Sequence, residues 1–484
     1  MRIVGRKKEI SYLKTMLASK KAEFLAVYGR RRIGKTYLIQ QCLSQVGIYL
    51  ECTGLKNGPL QMQLANFSDR FSAVFYPGVP IAVPKSWREA FILLTHEMKK
   101  IPPSKKIILF FDELPWFANR KSQFLQNIDY FWNTEWKLLP NCKLIVCGSA
   151  AAWMMNNLIN AKGGLHNRLT KSLLLEPFNL AETEEFIKSL KINLPRKQIL
   201  DLYITVGGVP YYLEQLDPSV SLSKNVNNLF FKKDGLLRGE FSRLFQSLFD
   251  ASELNIRIVK EVAKHHYGIS CSKLVRALGR TPGGRFKERL QELEACGFIA
   301  GFLPYGKKKR DRYYKVIDEY TLFYLKWVAG LEELPRGVDY WSKLSKSSAW
   351  FSWAGYAFEN VCYKHIDEII HALDLQKVSC FCSYFLQKAS SQEKDGAQVD
   401  LLLDRDDDAV TLCEIKYSND LFTLDKAYAK NLMNKMEVVE KHLQKSKQLF
   451  LAIITTQGVK KNLWTEELVS HTVLLKDLFR APCH

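Results

Sequence analysis

Apolar residues fall into two patterns along this chain. Short, mostly apolar runs at residues 23–28, 46–52, 107–113 and 143–149 predict strands, those at 23–28, 107–113 and 143–149 buried in a sheet, because such strands have no polar side to alternate with. A further strand is predicted at 171–175. Between the runs, apolar positions recur at helical spacing, as in Ile10, Leu13 and Leu17, and residues 37–43 continue the pattern. Residues 53–104 read as mostly helical, interrupted by Pro77, Pro80 and Pro84 and ended by Pro102 and Pro103. Strands alternating with helices predict an α/β domain built on a parallel sheet.

Beyond it the pattern changes. Residues 180–250 read as helical. Three helices follow: one through Ile256, Val259, Val262 and Ala263, one at 270–278, and one at 283–296 that turns Phe286, Leu290 and Leu293 inward. Two strands at 298–304 and 313–317 flank a basic tip at 306–312. Residues 319–355 are rich in aromatic rings, and read either as helical packing between domains or as a base-stacking platform. Strands are predicted at 396–404 and 409–416, a helix at 431–443, strands at 447–456 and 472–475, and a last helix at 476–479.

Composition narrows the partners. A net charge of +20 favours a polyanion, nucleic acid above all, although an acidic membrane surface or simple solubility also accounts for it. Eleven cysteines without a CxxC pair, and nine histidines without HExxH, give neither a disulfide framework nor a zinc motif, and imply a reducing, cytoplasmic setting. No stretch approaches the roughly 20 apolar residues of a membrane span, and the N-terminus lacks the apolar core of a signal peptide.

The sharpest chemistry is at residues 29–36. Gly29, Arg30, Arg31, Arg32, Ile33, Gly34, Lys35 and Thr36 spell GxxxxGK[ST] between a predicted strand and a predicted helix that continues into Tyr37. In that context the backbone N–H groups turn toward the phosphates of ATP, Lys35 reaches the β- and γ-phosphates, and the Thr36 hydroxyl holds Mg²⁺. The three arginines are expected to sit solvated near the phosphates. Asp112 and Glu113 end an apolar run 77 residues beyond Lys35 (112 − 35), where the edge of a parallel sheet binds ligands. Asp112 is the expected Mg²⁺ ligand and Glu113 the group that activates water.

These motifs resemble the AAA+-related ATPases, and the resemblance implies further roles. Val4-Gly5-Arg6 with Glu9 is similar to a box that packs beside adenine, or is a plain capping segment. Ser149, at a strand end, matches the sensor that touches the γ-phosphate or the water, or else caps the next helix. Arg168 would read nucleotide state, in cis or across a homo-oligomer, or form only a salt bridge. Gly208-x-Pro210 resembles the turn by which a lid meets the base, or is a loop between helices.

Residues 251–320 resemble a winged helix-turn-helix. They hold fifteen Lys/Arg and eight Asp/Glu, hence +7, with Arg280, Arg285, Lys287 and Arg289 around the third helix, a cation pattern suited to DNA phosphates. Asp400, then Glu414-x-Lys416 after thirteen intervening residues, resembles the PD-(D/E)XK nuclease signature. A tight turn between two strands would bring Asp400 beside Glu414, and strand alternation would put Lys416 on Glu414's face. The two carboxylates are then expected Mg²⁺ ligands and Lys416 the group that positions water. Glu359 matches the extra acidic residue of that family's first helix.

Taken together, the chain resembles the archaeal and bacterial AAA+-like, STAND-related P-loop ATPases with a winged helix and a C-terminal nuclease-like domain. The implied fold class is α/β: a P-loop NTPase parallel sheet with a helical lid, then a winged helix-turn-helix and an α/β restriction-endonuclease-like domain. The expected boundaries are 1–178, 179–250, 251–320, 321–355 for the aromatic linker, and 356–484. The implied function is Mg²⁺-dependent ATP hydrolysis associated with DNA and a nuclease-like output, or a regulatory ATPase that binds DNA or protein without cleavage.

Overall fold

The computed structural model describes residues 3–119, 121–160, 167–249, 252–281, 283–307, 312–331, 340–387, 396–443 and 447–480. The tip residues 308–311 and the glycine-containing stretch 161–166 lie outside them. The chain forms two compact units, Met1–Pro177 with Gln291–Cys296, and Phe178–Leu290 with Gly297–His484.

The first unit is built on β1 (Glu23–Tyr28), β2 (Ile48–Thr53), β3 (Ile107–Asp112), β4 (Cys142–Gly148) and β5 (Lys171–Leu174), all parallel, in the order β2-β3-β4-β1-β5. Every residue of β3 and β4 is buried, which is why their sequences run apolar without alternation. One face is covered by an aromatic cluster that includes Phe67, Trp87, Phe91 and Trp136, the other by Leu13, Ile33, Leu38 and Ile39. The second strand starts two residues later than its apolar run. Gly47 turns at φ 66°, where a Cβ would lie 2.1 Å from the Lys106 carbonyl oxygen, so residues 46 and 47 belong to the turn. Because β4 lies between β1 and β3, the ends of these three strands stand side by side.

The second unit holds two sheets. A small antiparallel one has β6 (Ile269–Ser270), β7 (Ile299–Phe302) and β8 (Tyr313–Val316) in the order β6-β8-β7. The larger has β9 (Cys380–Gln387), β10 (Ala397–Arg405), β11 (Ala409–Lys416), β12 (Gln448–Thr455) and β13 (His471–Leu474) in sequential order. Its first three strands are antiparallel and its last three parallel. The helix predicted from 431 starts earlier and spans Lys426–His442, because Asp425 caps it by accepting from the Tyr428 N–H at 2.8 Å.

Trp341, Trp350 and Trp353 are buried and pack with Phe323. Rings packed in this way serve the interior, so these three tryptophans are not a base-stacking platform. Gly208 has a packing role too. The Phe178 N–H donates to its carbonyl at 2.7 Å, and a Cβ there would lie 1.8 Å from the Phe178 oxygen. Gly208→Ala is therefore expected to cost about 1–3 kcal/mol, as overpacking does. Thermal unfolding of the full chain checks this; an unchanged midpoint would reject the close approach.

Candidate active site

The phosphate loop leaves β1 at Gly29, whose φ is 141° and whose Cβ position is 2.2 Å from the Leu175 carbonyl oxygen, so no side chain fits there. Gly34 turns the chain at φ 86° into the helix Lys35–Leu43. Lys35 begins that helix and is 5% exposed. Its ammonium donates to the carbonyls of Gly29 at 3.0 Å and Arg30 at 2.7 Å and to Ser149 Oγ at 2.9 Å. Burial pushes its pKa down, against the pull of the nearby Cys147, Glu113 and Asp112. A buried ammonium held by neutral oxygens is suited to an incoming phosphate.

The Thr36 hydroxyl donates to Asp112 Oδ2 at 2.7 Å. Burial pushes the Asp112 carboxyl up, and the Thr36 hydrogen bond pulls it back. A hydroxyl and a carboxylate side by side at the phosphate loop fit Mg²⁺, which takes one or two carboxylates together with substrate phosphates.

Glu113 follows with φ 52°, a conformation uncommon for a side chain of this kind. Ser149 donates to it twice, from N at 3.1 Å and from Oγ at 2.6 Å. Ser149 Oγ therefore joins Lys35 to Glu113. It does not cap the next helix, Ala151–Met154, whose cap is Ala150 without a side-chain hydrogen bond.

Arg30 is buried, not solvated as expected, because the loop folds it inward; Arg31 and Tyr37 are exposed, and Arg32 is half-buried with φ 71°. Ile33 is buried in the core. Arg6 donates to the Ile33 carbonyl at 3.1 Å and lies 3.9 Å from Glu9, which ties the N-terminal box to the phosphate loop. Arg168 Nε lies 3.7 Å from Asp129, in a half-exposed salt bridge. In the second unit, Pro210 opens the helix Pro210–Leu213, a favoured place for proline.

The C-terminal carboxylates meet as their strands pair. Leu401 opposes Cys413, which brings Asp400 and Glu414 to the end of that paired stretch, and β10 is irregular against β9 between Val399 and Leu402. Asp400 Oδ2 accepts from the Ile415 N–H at 3.0 Å. Glu414 Oε1 is 2.8 Å from Lys416 Nζ, and its Oε2 is 2.8 Å from Lys435 Nζ. Tyr428 also donates to Oε1. Burial pushes Glu414 up, and the two lysines pull it back below the usual carboxylate range. Burial and then the Glu414 charge push Asp400 up. Glu359, on the helix Ser348–Lys364, is also pushed up, by burial and then by Asp400, while Lys315 of β8 opposes this.

Lys315, Tyr428 and Lys435 were not legible as site residues. The one available signal was the seven-residue spacing of Tyr428 and Lys435, which puts both on one helix face once the cap at Asp425 is recognised. Among the described residues, no three His, Cys, Asp or Glu are grouped to hold a metal ion. With both oxygens of Glu414 bound by ammonium groups, the C-terminal donors do not fit Mg²⁺.

The parallel five-stranded sheet and its phosphate loop define a P-loop ATPase domain. Residues 3–216 match the model of a family described as an ATPase domain predominantly from Archaea. Over 421 residues the chain is 24% identical to the uncharacterized protein MJECL04 of Methanocaldococcus jannaschii, covering 86% of this chain and 88% of that protein. Two solved structures are similar at lower identity. The Walker-type ATPase PABY2304 of Pyrococcus abyssi aligns at 20% identity over 67% of this chain and 96% of its own, with a TM-score of 0.47. The Aeropyrum pernix ORC2 protein, in ADPNP–ADP complexes, aligns at 13% over 67% and 93%, with a TM-score of 0.43. No helix among the described residues is long and apolar enough to cross a membrane.

Proposed function

We propose that the chain is an AAA+-like, Mg²⁺-dependent ATP hydrolase that works at DNA in a reducing cell interior. The observation that carries the hydrolase reading is Ser149 Oγ, hydrogen-bonded at once to Lys35 and to Glu113, beside the Thr36–Asp112 pair. Lys35 holds the β- and γ-phosphates, Glu113 orients the attacking water and takes its proton, and Ser149 registers the γ-phosphate through both. Mg²⁺ held by Thr36 and Asp112 supplies charge neutralisation at those phosphates. Arg168 has the charge to act on the phosphates once released from Asp129, and Pro210 has the place in the chain of a lid contact to the base.

Residues 251–320 serve as a winged helix-turn-helix. Supporting this, Arg280, Arg285, Lys287 and Arg289 lie on or just before the helix Gly284–Ala295. Arg280, Arg285 and Arg289 line an open groove of about 620 Å³ with Phe286. Residues 356–484 serve as a restriction-endonuclease-like output domain, with Glu359, Asp400, Glu414 and Lys416 as its polar centre. Between cleavage and binding alone, the binding reading is favoured by the paired oxygens of Glu414.

Duplex DNA binding, measured from about 50 to 200 mM salt, tests the DNA reading, since each phosphate contact adds to the salt slope. Arg285→Ala with Lys287→Ala is expected to weaken binding about equally on all sequences and flatten the slope by roughly 2, one for each lost phosphate contact. ATP turnover indifferent to DNA, with no binding even at low salt, would sink it.

A further inference from the structure

The polar centre of the second unit contains as many ammonium groups as carboxylates. Glu359, Asp400 and Glu414 face Lys315, Lys416 and Lys435, with Tyr428 completing the shell. A divalent-cation site needs carboxylate oxygens with open lone pairs. Here three of the roughly four acceptor sites of Glu414 are taken: Lys416 and Tyr428 hold Oε1, and the Lys435 ammonium holds Oε2, where its charge opposes any second cation.

Lys435 is placed by the fold. Its helix is capped by Asp425, and Leu432 and Val439 of the same helix are buried in the core beside the sheet. Lys435 lies two turns from Tyr428, on the same face. Its side chain is 18% exposed and reaches Glu414 at 2.8 Å. Asp400 Oδ2 accepts from the N–H of Ile415, the residue after Glu414, and the Lys435 charge acts on Asp400 as well as on Glu414, so a cation on Oε2 lies beside both carboxylates.

We infer that Lys435 stands in the place of a divalent cation at Asp400 and Glu414, and closes this site to metal. The inference rests on the restriction-endonuclease-like reading only for choosing these two carboxylates as the ligand pair. Lys416, on β11, belongs to the signature, whereas Lys435 comes from the helix Lys426–His442 and has no part in it. Its removal would free Oε2 while leaving Lys416 and the strand pairing in place.

Mn²⁺ binding to the full chain without nucleotide, followed by electron paramagnetic resonance, tests this. The wild type is expected to show no Mn²⁺ site that depends on Asp400. Lys435→Met should gain one site per chain, binding at least ~10-fold more tightly, in the range by which metal-site neighbours change affinity. Adding Asp400→Asn should remove the gain, and Lys435→Arg should behave as wild type. An Asp400-dependent site in the wild type, or a folded Lys435→Met chain without a gained site, would overturn the inference. If Lys435→Met does not fold, the wild type and Asp400→Asn decide: equal Mn²⁺ binding supports it and a loss in Asp400→Asn overturns it.

Plasmid cleavage measured alongside separates the two readings. A wild type that cuts DNA and has the Asp400-dependent site defeats the inference and leaves the nuclease reading standing. Metal gained by Lys435→Met, with no cutting by either protein, sustains the inference and removes the cleavage reading.

Discussion

Lys35→Ala is expected to lower ATP turnover by roughly 10³-fold, the upper range for losing one preorganised charge at a developing anion. The size follows from burial. The Lys35 ammonium is already held between two carbonyls and Ser149 Oγ, so it needs little rearrangement to meet phosphate. Its shielded surroundings strengthen that attraction relative to water. Loss of fold would be a trivial cause, but alanine is a strong helix former at this first helical position. It also removes a cation whose burial is itself unfavourable. The thermal midpoint should therefore hold while turnover falls. Phosphate release and nucleotide binding measure the two effects; turnover above about a tenth of wild type would reject the assignment of this loop, since a tenfold loss is only ~1.4 kcal/mol.

Glu113→Gln is expected to slow hydrolysis by roughly 10²–10⁴-fold, the usual contribution of a positioned base. Unlike the Lys35 variant, it should retain nucleotide. Glutamine keeps the length of the side chain and an oxygen that can accept from the Ser149 N–H, but it takes no proton at neutral pH. The backbone strain at φ 52° is the same for both residues, so the comparison isolates the carboxylate. Single-turnover kinetics with pre-bound ATP is the direct measurement. A chemical step within about tenfold of wild type, less than a general base contributes, would move water activation to another group.

Much of this candidate site was legible because its groups lie at the ends of recognisable runs. The glycines around Arg30 mark a loop, and the buried run ending at Asp112 marks a strand edge. What spacing could not show is that one serine joins Lys35 to Glu113. That contact exists because β4 inserts between β1 and β3, and strand order is a long-range property with no local signature. The same limit explains Arg30, whose type suggests solvent but whose loop folds it inward.

In the second unit the pairing of β10 with β11, which brings Asp400 near Glu414, follows from the short turn between two successive strands. Lys435 does not, because it arrives on a helix that begins ten residues after β11 ends (426 − 416). The early start of that helix depends on a single cap at Asp425, which periodicity alone passes over.

By itself the sequence determined the α/β alternation, the phosphate loop, the carboxylate-tipped strand and the acidic strand pair. These are set by local spacing, by glycine's access to positive φ and by the two-residue period of a strand. Tertiary structure alone decided which groups become partners. Strand crossover made Ser149 the link between Lys35 and Glu113, and helix packing delivered Lys435 to Glu414. Partnership inside a protein depends on charges meeting away from water, and that meeting is made by elements distant in the chain.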